Sequence, residues 1–168
     1  IAQWWTEAQR HGVLPLDDRT IELFGARFRP HSPHPVDQRY VYRPPMSPLP
    51  GQASAAIGGR SFDLTARITR SAGQDGVLFA TGNENSGISV FVQNDRFVVD
   101  YNAFDDHSIV ESPMQVGAGE STLVARFRRG DGRSGSISIE VNGQQAGSVE
   151  TSLFMQIISS VGSSIAYD

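Results

Sequence analysis

The 168-residue sequence has no cysteine. That absence removes disulfide staples, thiolate metal ligands and a thiol nucleophile together, but it leaves the compartment open, cytoplasmic or exported. There is no lysine either, and all 14 basic residues are arginine. Lysine serves equally well on solvated faces, so the bias reads as the mark of a GC-rich genome. Positive charge is in deficit, with 18 acidic residues and a net charge of −4, which argues against a nucleic-acid partner and its basic face. No apolar run approaches the roughly 20 residues of a membrane-spanning helix, so no membrane partner is expected. Nucleophile signatures are also missing. There is no Gly-x-Ser-x-Gly elbow and no His-Glu-x-x-His, and Gly117-Ala118-Gly119 lacks the third glycine and following helix of a dinucleotide fingerprint.

What is present divides into three stretches. Residues 1–29 read as helical. Trp4, Trp5 and Ala8 share one side at 3.6 spacing, and Arg10-His11-Gly12 supplies late-helix cations and a stop. Asp17 offers an N-cap for a second short helix with Asp18 in its first turn and Ile21 and Phe24 as its buried face. Residues 30–58 form a connector holding seven of the nine prolines, which fix φ and lack the amide donor, so neither a helix nor a central strand fits. Within it, Arg39-Tyr40-Val41-Tyr42 is expected as an edge strand.

From residue 59 to 168 the period becomes two. Phe62, Leu64, Ala66 and Ile68 alternate with Asp63, Thr65, Arg67 and Thr69, the pattern of a half-buried strand. Strands are expected at 76–80, 88–92, 96–101, 123–127 and 137–141. Gln93-Asn94-Asp95 and Asn142-Gly143 mark hairpins. Phe91, Phe97 and Phe127 read as core. Spacing near ten residues with glycine-rich turns predicts a mainly β, antiparallel jelly-roll sandwich preceded by two short helices.

These pieces resemble a known family. Trp4-Trp5…Ala8…Gly12-Val13-Leu14-Pro15-Leu16-Asp17-Asp18-Arg19 is similar to the segment near the C-terminal end of actinobacterial-type arylsulfatases. Arg60-Ser61-Phe62, Gly76 to Gly82, Gly87 to Val92, Val99-Asp100-Tyr101-Asn102 and Val141-Asn142-Gly143 follow in the same order, so the likeness spans most of the chain. The β pieces alone are shared by laminin-G-like and concanavalin A-like jelly rolls; the Pro-Leu-Asp-Asp-Arg segment ahead of them is more specific. The resemblance implies a lectin-like C-terminal region of an arylsulfatase, itself without the sulfatase site. That site needs a formylglycine from a Cys/Ser-x-Pro-x-Arg motif and a calcium ion, both in a catalytic core not contained here. No proline of this sequence has Ser two before it and Arg two after it. The chain starts inside a helical pattern without methionine and stops just after Ile157-Ile158-Ser159-Ser160-Val161. The expectation is of a piece cut at both ends, whose partner is the missing core. An open sheet edge after Ala166 would also let it pair with a second copy.

Four groups of residues invite chemistry. Asp17-Asp18-Arg19 could do acid–base work or hold calcium, but a capped helix with an ion pair explains it. His31 and His34 have a zinc-like spacing without the further ligands that zinc needs. Arg126 and Arg128 lie on one strand face, next to Arg129, and are expected to be solvated or ion-paired. Asn83-Glu84-Asn85 and Asp105-Asp106-His107 place Glu84, Asp105 and Asp106 in inter-strand loops, where calcium or sugar could bind. Turn chemistry accounts for the same residues. Sugar lectins usually offer an aromatic platform, and none is evident on the sandwich.

Overall fold

The computed structural model describes residues 2–11, 39–44, 46, 48–51, 53–155 and 162–166. They fall into two units, 1–39 and 40–168. In the first, helix α1 spans Ala2–Arg10, as the 3.6 spacing predicts. Its two indoles meet edge to face with centroids 4.9 Å apart and remain about half exposed, whereas Ala8 is buried.

The described residues of the second unit form a sandwich of nine strands: β1 Phe62–Arg70, β2 Gly76–Gly82, β3 Ser86–Gln93, β4 Arg96–Ala103, β5 Asp106–Gln115, β6 Gly119–Arg129, β7 Gly135–Val141, β8 Gln144–Thr151 and β9 Ser163–Ile165. One sheet has the order β1-β6-β7-β8 and the other β5-β4-β3-β2-β9, with every pairing antiparallel. Three two-residue turns, Asn94-Asp95, Phe104-Asp105 and Asn142-Gly143, have positive φ at both positions. This is the geometry whose twist matches that of the flanking strands.

Alternation builds the core. Val90, Val99 and Val110 stand in one row across β3, β4 and β5. Phe62, Phe127 and Ile137 stand in a row across β1, β6 and β7. Phe127 is fully buried and stacks on Phe62 with centroids 4.4 Å apart. Tyr101 is also fully buried. Its hydroxyl accepts a hydrogen bond from the Met155 amide at 2.8 Å, and burial raises its pKa. Tyr101→Phe should cost about 1–3 kcal/mol, because it leaves the Met155 amide buried without a partner. Chemical denaturation of the two proteins measures the difference.

Three expectations need correction. Arg39 to Tyr42 form no strand; the connector instead contributes an antiparallel bridge between Leu49 and Ser163 on β9, and the Tyr42 hydroxyl accepts from the Ala55 amide. Prolines at 44, 48 and 50 withhold the amides a longer ladder would use. Phe91 is only half-buried, since its place opposite Val98 puts it on the outward face. Asp106 and His107 lie on β5 and not in a loop. The second helix, with Pro15, Asp17, Asp18 and Arg19, lies outside the described residues. So do His31, His34 and the segment 157–161.

Candidate functional site

The two oxygen-rich segments meet at one end of the five-stranded sheet. The β2–β3 loop is shaped by Asn83, whose Oδ1 accepts from the amides of Asn85 at 3.0 Å and Ser86 at 3.2 Å. The β4–β5 turn is Phe104-Asp105. Asn102 buckles the two together: its Nδ2 donates to the Glu84 carbonyl at 3.0 Å, and its Oδ1 accepts from the Asp105 amide at 2.8 Å. Beside the turn, Asp106 accepts from the Ser152 hydroxyl at 2.9 Å, which ties it to the end of the other sheet.

Antiparallel register places a polar row on the adjoining outward face. Asn102 stands opposite His107, and Asp100 stands opposite Ile109 and Ser89. His107 Nδ1 lies 2.9 and 3.0 Å from the two Asp100 carboxylate oxygens. Asp100 sits on the strand between those carrying Ser89 and His107, so the imidazole is not hydrogen-bonded to that hydroxyl as a nucleophile's base is. Behind the loop, Gly82 and Gly87 oppose one another. A Cβ at Gly87 would come within 2.7 Å of the Thr81 carbonyl oxygen, so only glycine lets the strands close there. Gly87→Ala should cost about 1–3 kcal/mol through overpacking, read as a lowered thermal midpoint without loss of sheet signal.

Of the residues expected at this end, Glu84 contributes its main-chain carbonyl, Asp105 its amide and Asp106 its carboxylate. Among the described residues, no group of three or more His, Asp or Glu is arranged to hold a metal ion. Two arginines of β6, Arg126 and Arg128, are ion-paired. Arg126 bridges Asp63 and Glu140, each at 2.8 Å, and Arg128 reaches Asp63 at 2.6 Å. Sequence reasoning missed two features. One is Asn102, legible only once the turn is placed at 104–105. The other is Phe104, 68% exposed at the hairpin tip with φ of 58°. A bulky residue rarely adopts that backbone region, and Asn or Gly would suit it better. The aromatic that the sandwich was expected to lack therefore stands beside the acidic loops.

Together, the two sheets and their loop end define a laminin-G-like, concanavalin A-like jelly roll, the fold class that the strand spacing predicts. The structure is similar to that of the mouse laminin alpha1 chain, domains LG4-5, with a TM-score of 0.53 and 16% identity, covering 68% of this chain and 30% of that chain. This chain thus spans about a third of the length of that neighbour. No protein-family model and no curated protein matches the sequence.

Proposed function

We propose that this chain is a non-catalytic accessory module that serves its parent by docking and ligand contact, with an arylsulfatase as the parent. The jelly-roll fold fits a binding module, and the order of motifs from Trp4-Trp5 to Val141-Asn142-Gly143 supports the sulfatase as its host. The observation that carries the non-catalytic reading is the engagement of the polar side chains. Asp63 and Glu140 are paired with Arg126 and Arg128, and Asn102 and Asp106 are spent on loop architecture. The calcium that a sulfatase parent implies would belong to its catalytic core. The half-exposed indoles of α1 are the natural surface for contact with that core, because amphipathic aromatics favour interfaces.

The test is turnover of 4-nitrophenyl sulfate by the isolated chain, with and without calcium. No release of nitrophenol is expected; saturable release would overturn the reading. A second reading, a lectin-like module for carbohydrate or sulfated ligands, is favoured by one observation, the exposed Phe104 at the loop end. Glycan-array binding by the chain alone would favour it over a purely structural role.

A further inference from the structure

We infer that the free edge of β1 is a self-pairing surface, on which a second copy of this chain adds its own β1 antiparallel about a two-fold axis through Thr65. The inference is independent of which enzyme the parent is.

An open sheet edge is an unpaired ladder, and folded proteins usually blunt it. The edges of the two sheets are β1 and β8, and β5 and β9. On β9, the main chain of Leu49 exchanges both hydrogen bonds with Ser163, at 2.8 and 2.9 Å. Edge β5 is interrupted by Pro113 and a register shift. Edge β8 has a shift of its own beside Gly147, where a Cβ would come within 3.0 Å of Val110 on β5. Strand β1 has none of these devices. Its nine residues include no proline or glycine, and their register with β6 is unbroken. Among the described residues no strand lies on its far side. Its apolar row is also incompletely covered. Phe62, Leu64 and Ala66 are half-buried, whereas Phe127, Ala125 and Leu123 opposite them are fully buried.

Backbone direction fixes which residues pair. Thr122 turns toward β7: its amide donates to Asn142 Oδ1 and its carbonyl accepts from the Asn142 amide, both at 2.8 Å. Alternation along β6 then turns Leu123, Ala125 and Phe127 toward β1. Their partners Ala66, Leu64 and Phe62 spend their amides and carbonyls there, so Asp63, Thr65, Arg67 and Thr69 present theirs to the open edge. Charge selects the register. An axis at Thr65 sets Asp63 against the partner's Arg67, and symmetry repeats the pair. An axis at Arg67 would set like charges together, and one at Ala66 would set both charges against threonine. Arg67 is exposed and has no ion pair among the described residues. Asp63 already accepts from Arg126 and Arg128, but a carboxylate has about four lone-pair sites, which leaves room for a third donor. The same register lays Phe62 beside the partner's Ile68 and Leu64 beside the partner's Ala66, covering the half-buried row.

Sedimentation of the chain from micromolar to millimolar concentration should show a monomer–dimer equilibrium. Hydrogen exchange should show the amides of Asp63, Thr65, Arg67 and Thr69 gaining protection as the dimer forms. Thr65→Pro deletes an amide that β6 does not use, a change an edge strand tolerates, and should weaken dimerisation at least about tenfold. Arg67→Asp sets like charges across the axis and should also weaken it. The chain has no cysteine, so Thr65→Cys supplies a single thiol. Cα atoms of a hydrogen-bonded pair stand about 5.5 Å apart, within disulfide reach. Oxidation should therefore link the dimer through Thr65→Cys and not through Thr69→Cys. A monomer at every concentration would overturn the proposal, as would a dimer indifferent to Thr65→Pro and Arg67→Asp. Protection of the same amides in the monomer would mean that the chain covers its own edge, and would overturn it too. Equal linkage by both thiol variants would refute the register.

Discussion

Asp95→Ala is expected to be strongly destabilising, because it strands a buried cation. The Arg70 side chain is only 4% exposed, and its ion-pair partner is Asp95. Its remaining contacts are the carbonyls of Gln74 and Val116, which accept hydrogen bonds but carry no countercharge. Asp95 occupies the β3–β4 turn and also accepts from the Gly73 amide, so one guanidinium ties β1, the 71–75 loop, the β3–β4 hairpin and the end of β5. The reverse change, Arg70→Met, should cost less, since Asp95 is 36% exposed and water can solvate it once the arginine is gone. Urea denaturation of both variants gives the order; equal and small losses would contradict the clamp. The same pair sets a pH dependence. The hydrogen bond from Arg70 holds the Asp95 carboxyl below its ordinary pKa. A depressed folded pKa means that its stabilisation is fully present above the unfolded value, about pH 4, and is lost as pH falls through the lower folded value. Acid unfolding of Asp95→Ala should lack that component.

The second large effect belongs to Phe127. Phe127→Ala should cost about 3–5 kcal/mol as a cavity-forming truncation. Phe127 is fully buried on the inward face of β6, stacked on Phe62 and tilted against Tyr101 with centroids 6.3 Å apart. Those two rings come from different sheets, so the void opens at the junction of the layers, where neither sheet can collapse without shifting the other. For a chain of this size each kcal/mol moves the melting midpoint by about 2–4 °C, making the loss plain in calorimetry. A loss below 1 kcal/mol would mean that the two-sheet core is not packed as described.

How far the sequence reveals this structure depends on whether a residue follows the simple periodicities. Phe62 to Thr69 alternate cleanly, and the structure reproduces that alternation. Asn142-Gly143 closes the β7–β8 hairpin as its chemistry requires. Strand β5 carries no legible alternation, because its inward positions include Ser108 and Ser112 and it contains Pro113. A proline is tolerable there because β5 is a sheet edge, and buried Ser112 satisfies itself on the Met114 backbone. The same lack of a strand signal conceals the loop end. With β5 unplaced, Asp106 and His107 read as loop and Asn102 has no visible partner. Phe104-Asp105 breaks the turn preferences that make Asn142-Gly143 legible. Local rules fail most often where function is carried. The Arg70 clamp could not be read at all, since its partner lies 25 positions away and only the fold brings them together.

The proposal is that this jelly roll is the non-catalytic accessory region of a sulfatase. It is tested most directly by determining the residues encoded upstream of Ile1. A Cys/Ser-x-Pro-x-Arg motif in that stretch is the predicted result; a reading frame without it would contradict the assignment.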